Sequence, residues 1–363
     1  MGEKINVNKD IKLAETLPAK FYKDKNIFEL SKKKIFLKCW HWIGDNSSCK
    51  EGNIKIPIDI LPGFISEPVL ITNNGKNKIK CFSNVCTHRG NILIHQKCNS
   101  KKIVCNYHGR KFNDDGKFEF MPEFKETINF PRKSDDLHDF PLFVWNNLIF
   151  VGLNPSFSIE KVFEKINKRI SFLPLENLKL DKNLSKDYSI DANWALYCDN
   201  YLEGFHVPFV HKDLNEVLDY NNYETEIDEY FNLQIGYAKN EDECFQIPKD
   251  HKDFGKKIAA YYYWIFPNLM LNFYPWGISI NLVCPKEIST TKILFRSYVF
   301  DKSKVKSGAS GDLDKVEMED EEIVQSVQRG INSSFYTTGR FSPTKEKGVH
   351  HFHLLVSDFL NNK

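Results

Sequence analysis

The chain lacks any run near the roughly 20 apolar residues that a membrane-crossing helix requires. Its first residues, Met1 to Lys12, are polar and charged, without the apolar segment of a secretory signal. No membrane partner is therefore expected, and the cytoplasm is the expected location. A dominant charge of one sign is also missing. A formal net charge of +2 over 363 residues gives no reason to expect nucleic acid or an anionic surface as partner. Nine cysteines are too few and too odd a number for a disulfide scaffold in a chain of this length. There is no internal repeat and no low-complexity tract. What is present, 41% hydrophobic and 27% charged residues, is the composition of a globular protein with a buried core.

Residues from Lys20 to about Leu37 read as a helix, with Phe28, Leu30, Ile35 and Phe36 apolar among lysines and acids. From Trp40 to about Val151 the chain is rich in short β-like runs, such as Ile54 to Ile58, Val69 to Thr72, Lys78 to Phe82 and Leu148 to Val151. Turn signals separate them at Asn73-Asn74-Gly75 and Asn113-Asp114-Asp115-Gly116. A helix is expected over Ile159 to Ile170. The longer mixed region beyond it has strands near Tyr261 to Phe266, Ile278 to Val283 and Lys292 to Phe300. Two helices are expected there, near Asn193 to His206 and Val316 to Ile331, and Lys302 to Gly311 reads as a surface loop. The fold class is α+β, with an all-β portion ahead of a mixed one.

One pairing stands out among the cysteines. Cys86-Thr87-His88-Arg89-Gly90 is followed by Cys105-Asn106-Tyr107-His108-Gly109. Each segment offers one thiolate and one imidazole within a tight loop, with a glycine where backbone would approach a cluster. Two such loops give a Cys2His2 set, which Rieske centres use with two cysteines on one iron and two histidines on the other. Zinc also takes Cys2His2, although zinc fingers group their cysteines together and their histidines together, and here they alternate.

A second set lies in the mixed region. In Asn193-Trp194 … Asp199-Asn200-Tyr201-Leu202-Glu203-Gly204-Phe205-His206-Val207-Pro208-Phe209-Val210-His211, His206 and His211 are five apart. On one regular helix they would diverge, but Pro208 between them disrupts the ladder and lets both reach one metal. A third, anionic ligand would complete a 2-His-1-carboxylate triad with open positions on iron(II). Val316, Ile323, Val324, Val327 and Ile331 form an apolar stripe that Asp320 interrupts on the same face, while Glu317, Glu319, Glu321 and Glu322 are expected to face water. An inward carboxylate is costly unless paired or metal-bound, which favours Asp320 as that ligand. A helix N-terminal acid is the competing reading for it.

These segments resemble the Cys-x-His … Cys-x-x-His and Asn-Tyr-Leu-Glu … His-x-x-x-x-His motifs of the α subunits of Rieske non-haem iron oxygenases. That is the aromatic-ring-hydroxylating dioxygenase large-subunit family. Within it the likeness is greatest to the choline monooxygenase and carnitine types, through Val327-Gln328-Arg329-Gly330, Gly339-Arg340 and Glu346 to His353. His350, His351 and His353 are then structural tail residues. Asn91 stands where respiratory-chain Rieske proteins carry a cysteine, Arg110 where the oxygenases often carry Trp, and Gln325 where the relatives tend to have Glu. The resemblance implies an N-terminal all-β Rieske domain (40–155) and a helix-grip catalytic domain (156–363). An N-terminal helical segment (1–39) is expected to pack on the catalytic domain. It further implies a [2Fe–2S] cluster on Cys86, His88, Cys105 and His108, and mononuclear Fe(II) on His206, His211 and Asp320, with O2 as co-substrate. A head-to-tail homotrimer would place the cluster of one subunit beside the iron of the next, bridged by Glu203 and supported by Asn200.

The chain carries no flavin or nucleotide motif, so NAD(P)H electrons are expected to arrive through a separate flavin or iron–sulfur reductase. The expected reaction is hydroxylation of a small organic substrate. Tyr261 to Trp264 and Phe273 to Trp276 are dense in aromatics, and an aromatic cage over Tyr263, Phe273 and Trp276 would suit a quaternary ammonium of choline, betaine or carnitine type. The same rings would suit an aromatic carboxylate in an apolar pocket. A non-catalytic iron–sulfur electron carrier is the alternative from another class, and it would lack the second histidine–carboxylate set.

Overall fold

A computed structural model of the chain describes residues 4–73, 78–240, 244–305 and 308–361. The chain divides into two compact units, residues 37–159 and residues 1–36 with 160–363. Among the described residues no helix is long and apolar enough to cross a membrane.

Among the described residues, short strands with alternating or fully apolar runs build the 37–159 unit as three antiparallel sheets. The five-stranded sheet runs in the order Cys98–Asn99, Ile54–Ile60, Glu67–Asn73, Ile79–Ser83 and Asp139–Phe140. A second sheet joins Trp40–Asp45, Leu148–Gly152 and Leu142–Trp145, and a small third one joins Ile103–Val104, Lys111–Phe112 and Phe118–Phe120. The strands expected from the sequence form, and the Asn113 to Gly116 turn closes on Asn113, whose side chain accepts from the backbone of Asp115 and Lys117. Most of the Asn73-Asn74-Gly75 turn lies outside the described residues. A core of Leu70, Phe82, Leu93, Ile103, Phe112 and Leu137 packs directly behind Cys86 and Cys105.

The other unit is organised by a seven-stranded antiparallel sheet. Its order is Lys179–Ile190, Thr290–Val299, Gly277–Glu287, Leu269–Tyr274, Ile258–Ile265, Phe231–Tyr237 and Glu224–Ile227. Gly277 sits at a φ of +158° and against the Tyr298 carbonyl, so a side chain there would collide with backbone. The Ile159–Ile170 helix forms where its 3.6-residue periodicity places it. The expected helix over Lys20 to Leu37 is instead divided into Ala19–Lys23, Lys25–Lys34 and a 3-10 turn at Phe36–Lys38. Asp24 makes the break, because its side chain caps the second helix by accepting from Asn26 and Ile27. Among its described residues, the stretch expected as a loop after Lys302 holds two single 3-10 turns.

The Leu313–Ile331 helix is rotated from the apolar stripe that its sequence suggests. Ile323 and Val327 are exposed, and the buried face is Glu317, Val324, Gln328 and Ile331. Two of these four are polar, and each has a partner on or beside the Trp194–Tyr201 helix. Tyr197 Oη donates to Glu317 at 2.7 Å, and Gln328 accepts from the Asn193 backbone at 2.8 Å. Hydrogen bonding to one neighbouring helix sets the rotation, overriding the apolar periodicity.

Candidate metal centres

The two Cys-His segments of the 37–159 unit adopt the same loop. In the first, Cys86 N–H donates to Asn91 O at 2.8 Å and Gly90 N–H to Cys86 O at 2.9 Å. In the second, Cys105 N–H donates to Arg110 O at 2.8 Å and Gly109 N–H to Cys105 O at 3.0 Å. Gly90 and Gly109 stand at φ +72° and +74°, the left-handed region that closes each loop. A Cβ at Gly90 would meet no protein atom, so backbone conformation rather than crowding requires that glycine. The loops bring the imidazoles of His88 and His108 to a centroid separation of 4.9 Å. Both cysteines are buried.

The chemistry of this donor set fits an iron–sulfur cluster. The buried Nδ1 of His108 has no hydrogen-bond partner, as a ring nitrogen reserved for a metal would not. Burial works against ionising Cys105, but hydrogen bonds from the Tyr107 and His108 backbone, from Cys86 and from Asn91 outweigh it and hold its thiol below the ordinary value. Asn91 Nδ2 lies 3.6 Å from Cys105 Sγ, so this departure from the respiratory pattern becomes a hydrogen bond to a candidate ligand. Burial and the neighbouring cations push the His88 pKa down, favouring the neutral imidazole that binds metal. Arg110, the other departure, is buried 2.7 Å from Asp135 and lies over the rings of Phe112, Phe118 and Phe130. It fills the space with a guanidinium that Asp135 neutralises.

In the other unit, the helix capped by Asn193 ends at Tyr201. Pro208 therefore interrupts no continuous helix. It sits in the first turn of a separate short helix, Val207–Val210, where a missing N–H costs nothing. His206 and His211 flank that single turn, and the chain continues into the Lys212–Val217 helix. Gly204 is needed at the approach, since a Cβ there would meet the Tyr223 ring at 2.8 Å.

Three ligand atoms converge. His206 Nε2 and His211 Nε2 are 3.2 Å apart, His211 Nε2 and Asp320 Oδ1 3.0 Å, and His206 Nε2 and Asp320 Oδ1 3.5 Å. Facial ligands at bond lengths of about 2.1 Å lie about 3 Å apart, so these atoms fit one metal ion with its opposite face open. Asp320 stands two turns into its helix, beyond the reach of the N-terminal dipole, so a dipole role does not explain it. Asn200 Nδ2 donates to Asp320 Oδ1 at 2.6 Å.

Each ring is held from behind by a carboxylate. His206 Nδ1 is 2.7 Å from Glu203 Oε1, and His211 Nδ1 is 2.7 Å from Glu319 Oε2. A carboxylate only accepts, so both Nδ1 atoms carry the proton and both Nε2 lone pairs face the metal position. Burial alone would lower the His211 pKa, but Asp320 and Glu319 more than offset it and hold it above the ordinary value. Glu203 also accepts from the backbone of Phe205 and His206. The apolar periodicity of the sequence points Glu319 and Glu317 toward water. They are partly and fully buried because the rotated helix carries them inward, and no short-range signal marks that rotation. His353 bonds Asp199 and the Leu17 backbone, and His350 the Asn8 carbonyl, so both serve the tail. Gln325 accepts from the Asp191 backbone.

Beside the triad lies a cavity of ≈ 120 Å³. Tyr201, Tyr223, Tyr262, Tyr274, Asn272, Asn281 and Glu317 are among its lining residues. Of the aromatics expected there, Tyr263 and Phe273 do not line it, because the pleat alternates faces and turns Tyr262 and Tyr274 inward in their place. Trp276 is also outside it, stacked on Tyr274 at 5.3 Å. The register aligns Gln234, Tyr262, Asn272 and Ser279 as one polar row across four strands of the inward face.

Comparison with known proteins agrees with this geometry. The family described as Rieske [2Fe-2S] domain matches residues 39–131, and the family described as ring hydroxylating alpha subunit (catalytic domain) matches residues 175–362. The chain is 29% identical to the chloroplastic choline monooxygenase of Arabidopsis thaliana, covering 94% of this chain and 82% of that protein. It is 26% identical to the carnitine monooxygenase oxygenase subunit of Escherichia coli K12, covering 95% of this chain and 93% of that subunit. Its fold matches that of a quaternary ammonium Rieske monooxygenase crystallised with L-carnitine, with a TM-score of 0.76, 22% identity and 99% coverage of both chains. With a Rieske domain followed by a mononuclear iron domain, the chain belongs to the ring-hydroxylating alpha-subunit family of Rieske-type non-haem iron oxygenases.

Proposed function

We propose that this chain is a terminal oxygenase that hydroxylates a small quaternary-ammonium compound. The observation that carries the reading is the tyrosine-lined cavity whose wall includes His206, His211 and Asp320. Tyrosine faces attract a cation that has no proton to donate, and the Arabidopsis and E. coli relatives are named for choline and carnitine. Cys86, His88, Cys105 and His108 would hold the [2Fe–2S] cluster, and His206, His211 and Asp320 the iron(II). When bound, these groups supply one-electron storage and O2 activation respectively. The protein's own part is to keep both imidazoles in one tautomer through Glu203 and Glu319, and to brace Asp320 through Asn200.

Electrons would come from NAD(P)H through a separate reductase. In the proposed head-to-tail homotrimer, Glu203 links His206 to a Rieske histidine of the neighbouring subunit. The exposed Phe205 and Phe209 flank this position and support an interface there. A cytoplasmic location is part of the same proposal. The test is substrate-dependent O2 consumption with a surrogate reductase and a panel of choline, carnitine, glycine betaine and benzoate. Turnover with an onium supports the reading, and turnover with benzoate alone overturns it. The electron-carrier alternative predicts cluster iron only, and a third iron per chain removes it.

A further inference from the structure

Glu317 is the least expected member of the cavity wall. It is 3% exposed, and it lies on the Leu313–Ile331 helix three residues before Asp320. Helix rise puts it about 4.5 Å further along the axis, on the same face. The two acids form parallel rungs to the Trp194–Tyr201 helix, Tyr197 to Glu317 at 2.7 Å and Asn200 to Asp320 at 2.6 Å. Tyr197 satisfies Oε2 of Glu317, whereas Oε1 is buried with no hydrogen-bond partner. A buried carboxylate oxygen without a partner is costly, and a structural role would not need one. Burial, with Asp320, Glu321 and Asp314 adding to it, pushes the Glu317 carboxyl well above its usual range, and a positive charge close by would return it to the anion. Among the described residues that line the cavity there is no lysine and no arginine.

We propose that Glu317 is the charge-selecting group of the cavity, which therefore takes a quaternary ammonium that bears no carboxylate, such as an amino alcohol, and rejects zwitterionic betaines. This deepens the function proposed above and rests on it. The onium supplies the positive charge that Oε1 lacks, about one helical turn from Asp320, in a cavity that Tyr262 and Tyr274 help to line. A substrate carboxylate on the Glu317 side of the same cavity would meet that acid with no described lysine or arginine opposite. Rejection by like charge discriminates as effectively as attraction.

The test is equilibrium binding to the fully metallated enzyme under anaerobic conditions. The ligands are choline, its neutral carbon isostere 3,3-dimethylbutan-1-ol, glycine betaine and benzoate. Wild type should bind choline at least about tenfold more tightly than the neutral isostere and than betaine. In Glu317→Gln, which keeps the Tyr197 hydrogen bond, choline should weaken at least about tenfold while the isostere holds within about threefold. Betaine binding as tightly as choline to wild type would overturn the proposal, and so would a variant that weakens choline and the isostere alike. Either result leaves the quaternary-ammonium reading standing. Binding of benzoate with no binding of any onium would remove both. The wild-type comparison decides the matter even where the variant folds poorly, and unchanged iron content and [2Fe–2S] absorption certify a variant that folds well.

Discussion

The two units present their candidate metal ligands by opposite strategies. In the 37–159 unit, the four candidate ligands come from two short loops of identical hydrogen-bond pattern, each closed by a glycine at positive φ. In the larger unit, His211 and Asp320 are 109 residues apart and meet only because the Leu313–Ile331 helix lies against the Trp194–Tyr201 helix. The difference appears in what surrounds the ligands. The loop site is supported by backbone N–H groups and an apolar core behind the thiols. The helix site is supported by side-chain carboxylates and amides, Glu203, Glu319 and Asn200, each on a ligand. A site made from local loops needs few specific side chains beyond its ligands. A site made from packed helices needs a second set of polar residues to orient rings that the backbone does not fix.

This contrast predicts that damage to one centre spares the other. Asp320→Ala should empty the iron site and lower turnover at least about a thousandfold, beyond the 10–100-fold typical of outer hydrogen-bond partners. The visible [2Fe–2S] absorption should persist, and iron analysis on the purified variant separates the two sites. Glu203→Gln should leave both centres loaded yet nearly stop turnover, and full activity in that variant would end its assignment as the bridge. In the loop unit, Arg110→Ala should cost about 3–5 kcal/mol, because it breaks the ion pair with Asp135 and leaves a void beside Phe112, Phe118 and Phe130. Chemical denaturation followed at the cluster absorption measures this, and a loss under about 1 kcal/mol would contradict it.

The same ion pair has a pH signature. Burial opposes ionisation of Asp135, but the Arg132 N–H and the Arg110 guanidinium outweigh it and depress its pKa. A depressed folded pKa contributes stability above the unfolded value, near 4, and that stability is lost as pH falls through the folded value. Acid should therefore weaken the wild-type unit more than the Arg110→Ala variant. Glu319→Gln should loosen mononuclear iron about 10–100-fold without touching the cluster, read by competition with a chelator. The smallest effect separates the two faces of one strand. Tyr262→Leu should raise KM about tenfold, whereas Tyr263→Leu should leave KM unchanged and lower stability.

Much of this architecture is legible in the amino-acid sequence. The Cys-x-His and Cys-x-x-His spacing, the two histidines around Pro208 and the strand runs from Ile54 to Val151 depend on contacts a few residues apart, which short-range pattern records. The helix departures come from side chains whose hydrogen bonds the apolar periodicity does not record. Asp24 divides a helix because its side chain reaches two backbone N–H groups, and Glu317 and Glu319 turn inward because Tyr197 and a metal-site histidine meet them there. The aromatic runs point equally to Tyr263 and Phe273 or to Tyr262 and Tyr274, because an unbroken run does not reveal which parity of the pleat faces inward.

The sequence by itself determined the ligand types, the local loops that present the cluster residues and the α+β division of the chain, since each follows from spacing and chain stiffness. Tertiary structure alone decided which acids are buried, which tyrosines line the cavity and how a carboxylate on one helix reaches the histidines near another. Those outcomes depend on the rotation of one element against its neighbour. That angle is set by the sum of many distant contacts and is written in no single stretch of residues.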